Sequence, residues 1–100
     1  GDFATVGVAA SVDMQGGSVA RAGIGLVAVG SKTIDAAEAA ASLVGGPLTE
    51  ETIATAADLA AQAARPRTDH RGSADYKRHI VHTFVARILT RVATSLEKAA

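Results

Sequence analysis

The stretch FATVGVAASVDMQGGSVARAGIGLVAV, residues 3–29, decides the fold, because apolar side chains alternate with small or polar ones in two successive runs. Such alternation is typical of a β-strand that buries one face in a core. The alternating apolar residues are Val6, Val8, Ala10 and Val12 in the first run and Ala20, Ala22, Ile24, Leu26 and Ala28 in the second. Because Gln15, Gly16 and Gly17 separate the two runs, the stretch predicts one long β-hairpin.

The loop between the two arms sets which residues face each other across the hairpin. A two-residue Gly-Gly turn would set Val12 against Arg21, and the two apolar faces would then no longer coincide. A three-residue loop with Gly17 at a positive φ sets Val12 against Ala20 and Val8 against Ile24. Since a slip of one residue turns every side chain to the other face, we predict the three-residue loop.

A short third strand and a first helix follow the hairpin in the predicted order. Residues 32–34 predict the strand, which the hairpin needs because two strands alone are only marginally stable in water. Asp35 predicts the N-cap of a helix over residues 36–44, with Glu38 at the spacing of a capping box. The Gly45-Gly46-Pro47 sequence ends this helix.

Two further helices complete the predicted fold. Thr49 predicts the N-cap of the second helix, which runs to about Ala64, and Ser73 predicts the N-cap of the third. The apolar stripe of the second helix is Ile53, Ala56, Ala57, Ala60 and Ala64. That of the third is Tyr76, Ile80, Val81, Phe84, Val85, Ile88, Leu89, Val92 and Leu96. This order predicts an α+β fold in which a small antiparallel sheet, a long β-hairpin plus a short third strand, precedes three helices packed on one face.

Length and composition favour a single domain over residues 1–100, with a core of small side chains. Hydrophobic residues make up 48% of the chain, but aromatic residues only 3%. The absence of cysteine excludes disulfides, iron–sulfur clusters and thiolate zinc sites within this segment. No apolar run approaches the roughly 20 residues that cross a bilayer, and no basic-then-apolar leader opens the chain. A cytoplasmic location is therefore the expectation.

Charge is divided unevenly along a chain whose net charge is zero. Residues 1–64 carry two basic and seven acidic side chains, a net charge of −5, and residues 65–100 carry eight basic and three acidic ones, +5. This division favours attraction between the last helix and an acidic surface of this chain or of a neighbour. Binding of nucleic acid by the basic residues is a weaker hypothesis, because no aromatic side chains for base stacking are interleaved with them.

The second face of the hairpin carries small residues in place of large apolar ones. Its members are Thr5, Gly7, Ala9 and Ser11 on one arm and Val19, Arg21, Gly23, Gly25, Val27 and Val29 on the other. Glycine weakens a strand and often marks close approach by another backbone or a ligand. The face is either simply open to solvent or a smooth surface that abuts another domain or subunit, and we favour the second hypothesis. Gly7, Gly23, Gly25 and Arg21 are its interface candidates.

Two sequence patterns resemble a dinucleotide-binding motif and a metal site, but the structural surroundings that such sites need are not predicted. Gly23-x-Gly25-x-x-Ala28 fits the dinucleotide fingerprint, but it lies in mid-strand and not at a strand-to-helix turn. His79 and His82 share a predicted helix, yet a metal would need a third or fourth ligand that the sequence does not specify. The residues alone therefore predict no catalytic, cofactor-binding or metal site.

Two stretches of the chain carry a resemblance to a known family. The first is DFATVGVAA at residues 2–10, and the second is Arg65-Pro66, then Asp69, then RGSADYKR at residues 71–78. Together they resemble the C-terminal domain of the FAD-binding medium subunit of molybdenum hydroxylases. That family includes aerobic carbon monoxide dehydrogenase and xanthine dehydrogenase. The likeness spans essentially the whole chain, and the fold that it implies is a small sheet followed by three helices.

The resemblance implies a non-catalytic structural domain of an oxidoreductase. In the family, electrons pass from a molybdenum cofactor through two 2Fe-2S clusters to FAD, and preceding domains hold the flavin through Gly-rich loops. No residue of this chain matches those loops, so no cofactor is expected in the chain itself. The implied partners are the preceding FAD-binding domains, the large molybdenum subunit and the small iron–sulfur subunit, without nucleic acid or membrane. Gly30-Ser31-Lys32 departs from the family by replacing its usual proline.

The second motif adds further interface candidates and leaves an alternative function open. These candidates lie in the loop before the last helix and at its start: Arg67, Arg71, Tyr76 and Arg78. The alternative is a free-standing interaction module that self-associates through the same sheet face and has no redox role. The resemblance also implies that another subunit chooses the substrate of the parent enzyme.

Overall fold

The computed structural model describes residues 6–28, 33–64 and 74–99. Within these residues the chain forms an antiparallel sheet in the order β1-β2-β3, followed by three helices. The elements are β1 (Val6–Gln15), β2 (Ser18–Ala28), β3 (Thr33–Asp35), α1 (Ala37–Leu43), α2 (Glu50–Ala63) and α3 (Ala74–Ala99). The predicted α+β fold is confirmed. The predicted N-cap Ser73 lies outside the described residues.

The hairpin is present, but its predicted register was wrong. Val12 lies opposite Ala22 and Val8 opposite Leu26. The loop is a two-residue turn whose glycines both have positive φ, 60° at Gly16 and 84° at Gly17. Such a turn matches the twist of the flanking strands, so it is favoured over a longer loop.

A β-bulge reconciles the two-residue turn with the alternating pattern. Asp13 pairs with Arg21 and Met14 with Val19, so Ala20 is the extra residue on β2. One inserted residue shifts the alternation of the strand and returns both apolar faces to the same side. Loop length alone therefore does not determine the register of this hairpin.

Because of the bulge, Val19 and Ala20 each face the side of the sheet that we predicted for the other. Val19 is 1% exposed in the core, whereas Ala20 is exposed. The Val19 N–H donates to the Gly46 carbonyl at 2.8 Å, and the Gly45 N–H donates to the Val19 carbonyl at 2.8 Å. These two backbone hydrogen bonds join the tip region of the hairpin to the loop that connects α1 and α2.

Helix α1 begins without the predicted side-chain cap. Asp35 is the last residue of β3, and Ala36 occupies the N-cap position with no side-chain hydrogen bond. The Ala36 N–H instead donates to the Ile24 carbonyl at 2.9 Å. The sheet therefore sets the start of α1, and the Asp35 capping box was a wrong prediction.

Helix α2 begins at the predicted N-cap, Thr49. Its Oγ1 accepts from the Thr52 N–H at 3.3 Å, and Thr52 Oγ1 accepts from the Thr49 N–H at 2.9 Å. Thr52 Oγ1 also lies 3.0 Å from the Pro47 carbonyl, to which it donates. The two threonines thus form a reciprocal capping box that also holds the preceding loop.

We expect Thr49→Ala to lower the free energy of unfolding by about 1 kcal/mol, because an N–H of the first turn loses its side-chain acceptor. Urea unfolding measures the change. Thr49→Ser keeps the hydroxyl and should remain close to the wild type. Equal losses in the two variants would show that the hydroxyl does not cap the helix.

The core lies between the sheet and the helices and is built from small side chains. Its buried members are Val19, Ile24, Leu26, Ala36, Ala39, Ala40, Leu43, Ile53, Ala56, Ala57, Ala60, Ala61, Val81, Val85 and Leu89. Strand β2 supplies the buried residues of the sheet, and α2 is lined almost entirely by alanine on its buried side. The thin core predicted from composition is therefore observed.

The buried stripe of α3 is narrower than the predicted one. Val81, Val85 and Leu89 are buried, as predicted. Tyr76 was predicted in the core but is 55% exposed, and Phe84 is only half-buried. Residues at the edge of the stripe point past the rim of a narrow sheet, so their burial needs more surface than the described residues supply. None of the helices in the described part is long and apolar enough to cross a bilayer.

Candidate functional site

The face of the sheet that points away from the helices is lined by small residues. Across the β1–β2 ladder, Ala9 lies opposite Gly25 and Ser11 opposite Gly23. Ala9 and Ser11 are exposed, and both glycines are partly exposed. We call this surface the open sheet face. The structure places Gly7, Gly23, Gly25 and Arg21 on it, as the alternation predicted, whereas Val19 belongs to the core.

The glycines of the open sheet face form a shallow depression. Its volume is about 410 Å³, and its lining is Ala9, Ala10, Ser11, Gly23, Ile24, Gly25 and Asp35. A Cβ built on Gly25 would meet no atom of the described structure within 4 Å, and one on Gly23 would lie 3.2 Å from Ser11 Oγ. Packing within the described residues therefore does not require glycine at position 25.

An ion pair marks the hairpin end of the open sheet face. Arg21 Nη2 lies 3.2 Å from Asp13 Oδ2, across the ladder at directly opposed positions. The two side chains are 84% and 64% exposed, so the pair adds little to stability. Its two charges give the small-residue surface a polar boundary.

Tyr76 and Arg78, the two remaining interface candidates that the structure describes, do not lie on the open sheet face. Tyr76 and Arg78 are exposed residues in the first turns of α3, which belongs to the helical layer on the opposite side of the sheet. Arg67 and Arg71 lie outside the described residues. The candidates that the structure describes therefore divide between two separate surfaces.

A contact that the sequence analysis missed joins α2 to α3. His82 Nδ1 lies 2.8 Å from Asp58 Oδ1, beside a groove that His79 and Arg78 also line. No sequence signal pairs two residues on separate helices, so only the packing of α2 against α3 reveals it. Within the described residues, no group of three or more His, Cys, Asp or Glu side chains could hold a metal.

Comparison with known proteins identifies the family. A family model described as the CO dehydrogenase flavoprotein C-terminal domain matches residues 1–92. This chain belongs to that family. Two similar proteins are the carbon monoxide dehydrogenase medium chain of Afipia carboxidovorans and subunit alpha of the 6-hydroxypseudooxynicotine dehydrogenase complex of Paenarthrobacter nicotinovorans.

This chain corresponds to part of those longer relatives. It is 34% identical to the A. carboxidovorans protein over 91 residues, which is 91% of this chain and 32% of the relative. Identity to the P. nicotinovorans protein is 35% over 92 residues, or 91% of this chain and 31% of the relative. The chain thus spans about a third of the length of the curated relatives it matches.

Solved structures support the same family membership. Quinoline 2-oxidoreductase from Pseudomonas putida 86 matches with a TM-score of 0.76 and 35% identity, over 90% of this chain and 32% of that one. A Cu,Mo-CO dehydrogenase in its cyanide-inactivated form matches with a TM-score of 0.70 and 32% identity, over 82% and 29% of the two chains. Both the predicted resemblance and the fold are confirmed.

Two features of the described residues that could receive a phosphate do not suit those of a flavin dinucleotide. Gly23 and Gly25 lie inside β2, so no helix N-terminus follows them to receive a phosphate. At the N-terminus of α2, the first turn carries Glu50 and Glu51, whose charges repel a phosphate. No step of flavin chemistry is therefore assigned to these residues.

Proposed function

We propose that the chain is a non-catalytic structural domain within the FAD-binding medium subunit of a molybdenum-containing hydroxylase. In this proposal it packs beside the flavin domains of its own subunit and against the large molybdenum and small iron–sulfur subunits. FAD, the molybdenum cofactor and the 2Fe-2S clusters are held elsewhere in the complex and carry the redox chemistry. We also propose that the complex is cytoplasmic. The family match over residues 1–92 and the names of the relatives, a medium chain and a complex subunit, support this role.

The single observation that carries the structural role is the open sheet face. Gly25 has space for a side chain, yet position 25 carries none, and its neighbours Ala9 and Ser11 are small. A face built in this way lets an opposing surface approach the sheet backbone closely. We therefore assign the open sheet face as the contact to another part of the complex.

The alternative of a free-standing, self-associating module is not favoured. The relatives that match this chain at 34–35% identity are parts of larger assemblies by name. The small residues of the open sheet face suit contact with a different polypeptide as well as they suit self-association. Self-association is therefore not needed to explain them. The comparisons thus favour the domain of a medium subunit.

A bulky side chain on the open sheet face is expected to impair assembly without unfolding the domain. Gly25→Val adds three carbons where no atom of the described structure lies within 4 Å of the new Cβ, and valine favours a strand. In the full-length medium subunit we expect at least a tenfold weaker association with the partner subunits, measured by native mass spectrometry. Bound FAD per subunit is measured in the same samples.

Ala54→Val on the exposed side of α2 is the matched control, and it should assemble like the wild type. Circular dichroism of both variants checks that the fold is retained. Normal assembly by a folded Gly25→Val protein would contradict the assignment of the open sheet face as a contact surface.

A further inference from the structure

A second surface lies along the outer edge of β1, which is the edge strand on the side of the sheet away from β3. The sheet order β1-β2-β3 leaves one side of this ten-residue strand without a neighbouring strand among the described residues. Such an edge presents unpaired N–H and C=O groups to any extended segment that reaches it. The strand carries a single charge, Asp13, and no proline, so it lacks the features that commonly block strand addition.

The helical layer covers β1 incompletely. The side chains of β1 that point towards the helices are only partly buried: Val8, Ala10, Val12 and Met14. By contrast, the core residues Ile24 and Leu26 of the neighbouring strand β2 are buried. Apolar surface therefore remains accessible along the length of β1, beside its free edge.

The neighbouring side of α3 continues this apolar surface. Ile80, Phe84 and Ile88 follow one another at four-residue spacing and stay partly exposed. Phe84 and Ile88 line a groove of about 190 Å³ together with Val8 of β1. The groove thus runs along the seam between β1 and α3, and its floor is apolar.

Two arginines form the rim of the same groove. Arg87 and Arg91 line it, and both are exposed. Within the described residues neither guanidinium forms an ion pair. Exposed positive charge beside an apolar floor is complementary to a partner that brings both carboxylates and apolar side chains.

We infer that the seam between β1 and α3 binds an extended acidic segment of another subunit, which adds as a strand to the edge of β1. Its backbone pairs with β1, its apolar side chains cover Phe84 and Ile88, and its carboxylates face Arg87 and Arg91. Strand addition of this kind obtains affinity from the backbone and specificity from alternate side chains. This inference rests on the proposed function, since it takes the occupant from the same complex.

The spacing of the two arginines fits an extended partner. Residues four apart on a helix are separated by about 6 Å along its axis. Alternate residues on one side of a β-strand are separated by about 6.6–6.8 Å. Where the added strand runs parallel to α3, carboxylates at its positions i and i+2 therefore have the same spacing as Arg87 and Arg91.

A second copy of this chain is a poor occupant of the groove. If β1 paired with itself, Asp13 would be the only carboxylate that the added strand supplies. That residue lies near the hairpin turn and already pairs with Arg21 at 3.2 Å. Two exposed arginines would then remain without an acidic partner, so the charges favour a different polypeptide.

Hydrogen–deuterium exchange tests strand addition directly. We compare the purified complete complex with the separated full-length medium subunit and follow peptides from β1. The β1 amides that point away from β2 should exchange at least tenfold more slowly in the complex, whereas those that pair with β2 are protected in both states. Equal exchange in a complex that native mass spectrometry shows to be intact overturns this inference alone. If no complex exists, the proposed function fails as well.

Protection of the outward-pointing β1 amides that is already present in the separated subunit also overturns the inference. If this protection grows with protein concentration, a second copy occupies the edge. If this protection is independent of protein concentration, a segment of the same subunit occupies the edge.

Charge neutralisation tests the acidic nature of the occupant. Arg87→Gln/Arg91→Gln should weaken association of the full-length subunit with its partners by about tenfold and reduce its dependence on NaCl concentration. Ala54→Glu/Thr55→Glu changes the net charge equally at two exposed positions of α2 and serves as the control. Identical affinity and salt dependence of the two double variants would contradict an acidic occupant.

Discussion

Leu89→Ala lowers the free energy of unfolding of this domain by about 2–5 kcal/mol, which we expect to be the largest effect of a single substitution. Leu89 is fully buried on α3 and is one of the largest side chains enclosed in the core. Many of the other buried residues are alanine, among them Ala56, Ala57 and Ala60. Because alanine has no rotamers with which to fill a void, the cavity collapses little, and we expect the upper half of this range.

Urea unfolding followed by circular dichroism measures the effect of Leu89→Ala. The midpoint should fall while the slope stays unchanged, since the surface exposed on unfolding is nearly the same. Thr90→Ala, at the next and exposed position of α3, should change stability by less than about 0.5 kcal/mol. A loss of less than about 1 kcal/mol for Leu89→Ala would show that Leu89 is not enclosed as described.

Ala60→Leu is expected to destabilise the domain by about 1–3 kcal/mol through overpacking. Ala56, Ala57 and Ala60 are all fully buried on α2, which lies between α1 and α3. The small alanine side chains allow α2 and its neighbouring helices to approach closely. The three carbons that leucine adds at position 60 must therefore displace a neighbouring helix. The extra hydrophobic surface offsets only part of this strain.

The matched control for Ala60→Leu is Ala54→Leu, on the exposed side of the same helix. Leucine and alanine have similar helix propensities, so the control should remain within about 0.5 kcal/mol of the wild type. Thermal unfolding of both variants distinguishes overpacking from a general effect of leucine. If Ala60→Leu were as stable as Ala54→Leu, the alanine-lined contact would be looser than the structure indicates.

The elements that local chemistry specifies were predictable from the sequence. Alternating apolar residues gave the hairpin, and Thr49 gave the start of α2. The register was not predictable in the same way, because the bulge at Ala20 compensates for the turn several residues away. Asp35 has the spacing of a cap, yet the backbone bond from Ala36 to Ile24 starts α1 instead.

Burial along α3 depended on neighbours that a sequence pattern does not specify. Tyr76 and Phe84 have the same helical spacing as the buried residues Val81 and Val85. Which of two adjacent stripes becomes the core depends on the width of the sheet and on the position of α2. Val81, Val85 and Leu89 of the predicted stripe are in the core, whereas Phe84 and Ile88 of the same stripe form the floor of the seam beside β1.

The positions of some interface candidates could be predicted from strand alternation, and those of others could not. Gly7, Gly23 and Gly25 share a face because alternation survives beyond the bulge, whereas Val19 lies before it and turns into the core. The contact between Asp58 and His82 arises only from the packing of two helices, and the sequence contained no signal for it.

Cysteine labelling on the open sheet face tests the structural role of this domain most directly. The chain contains no cysteine, so Ser11→Cys introduces one reporter at an exposed position of that face, and Ala54→Cys introduces another on α2. Labelling by a maleimide is followed by peptide mass spectrometry in the complete complex and in the separated medium subunit. We predict that assembly slows labelling at position 11 at least tenfold and leaves position 54 unchanged. Equal labelling at position 11 in both states would contradict a sheet face that serves as a contact surface.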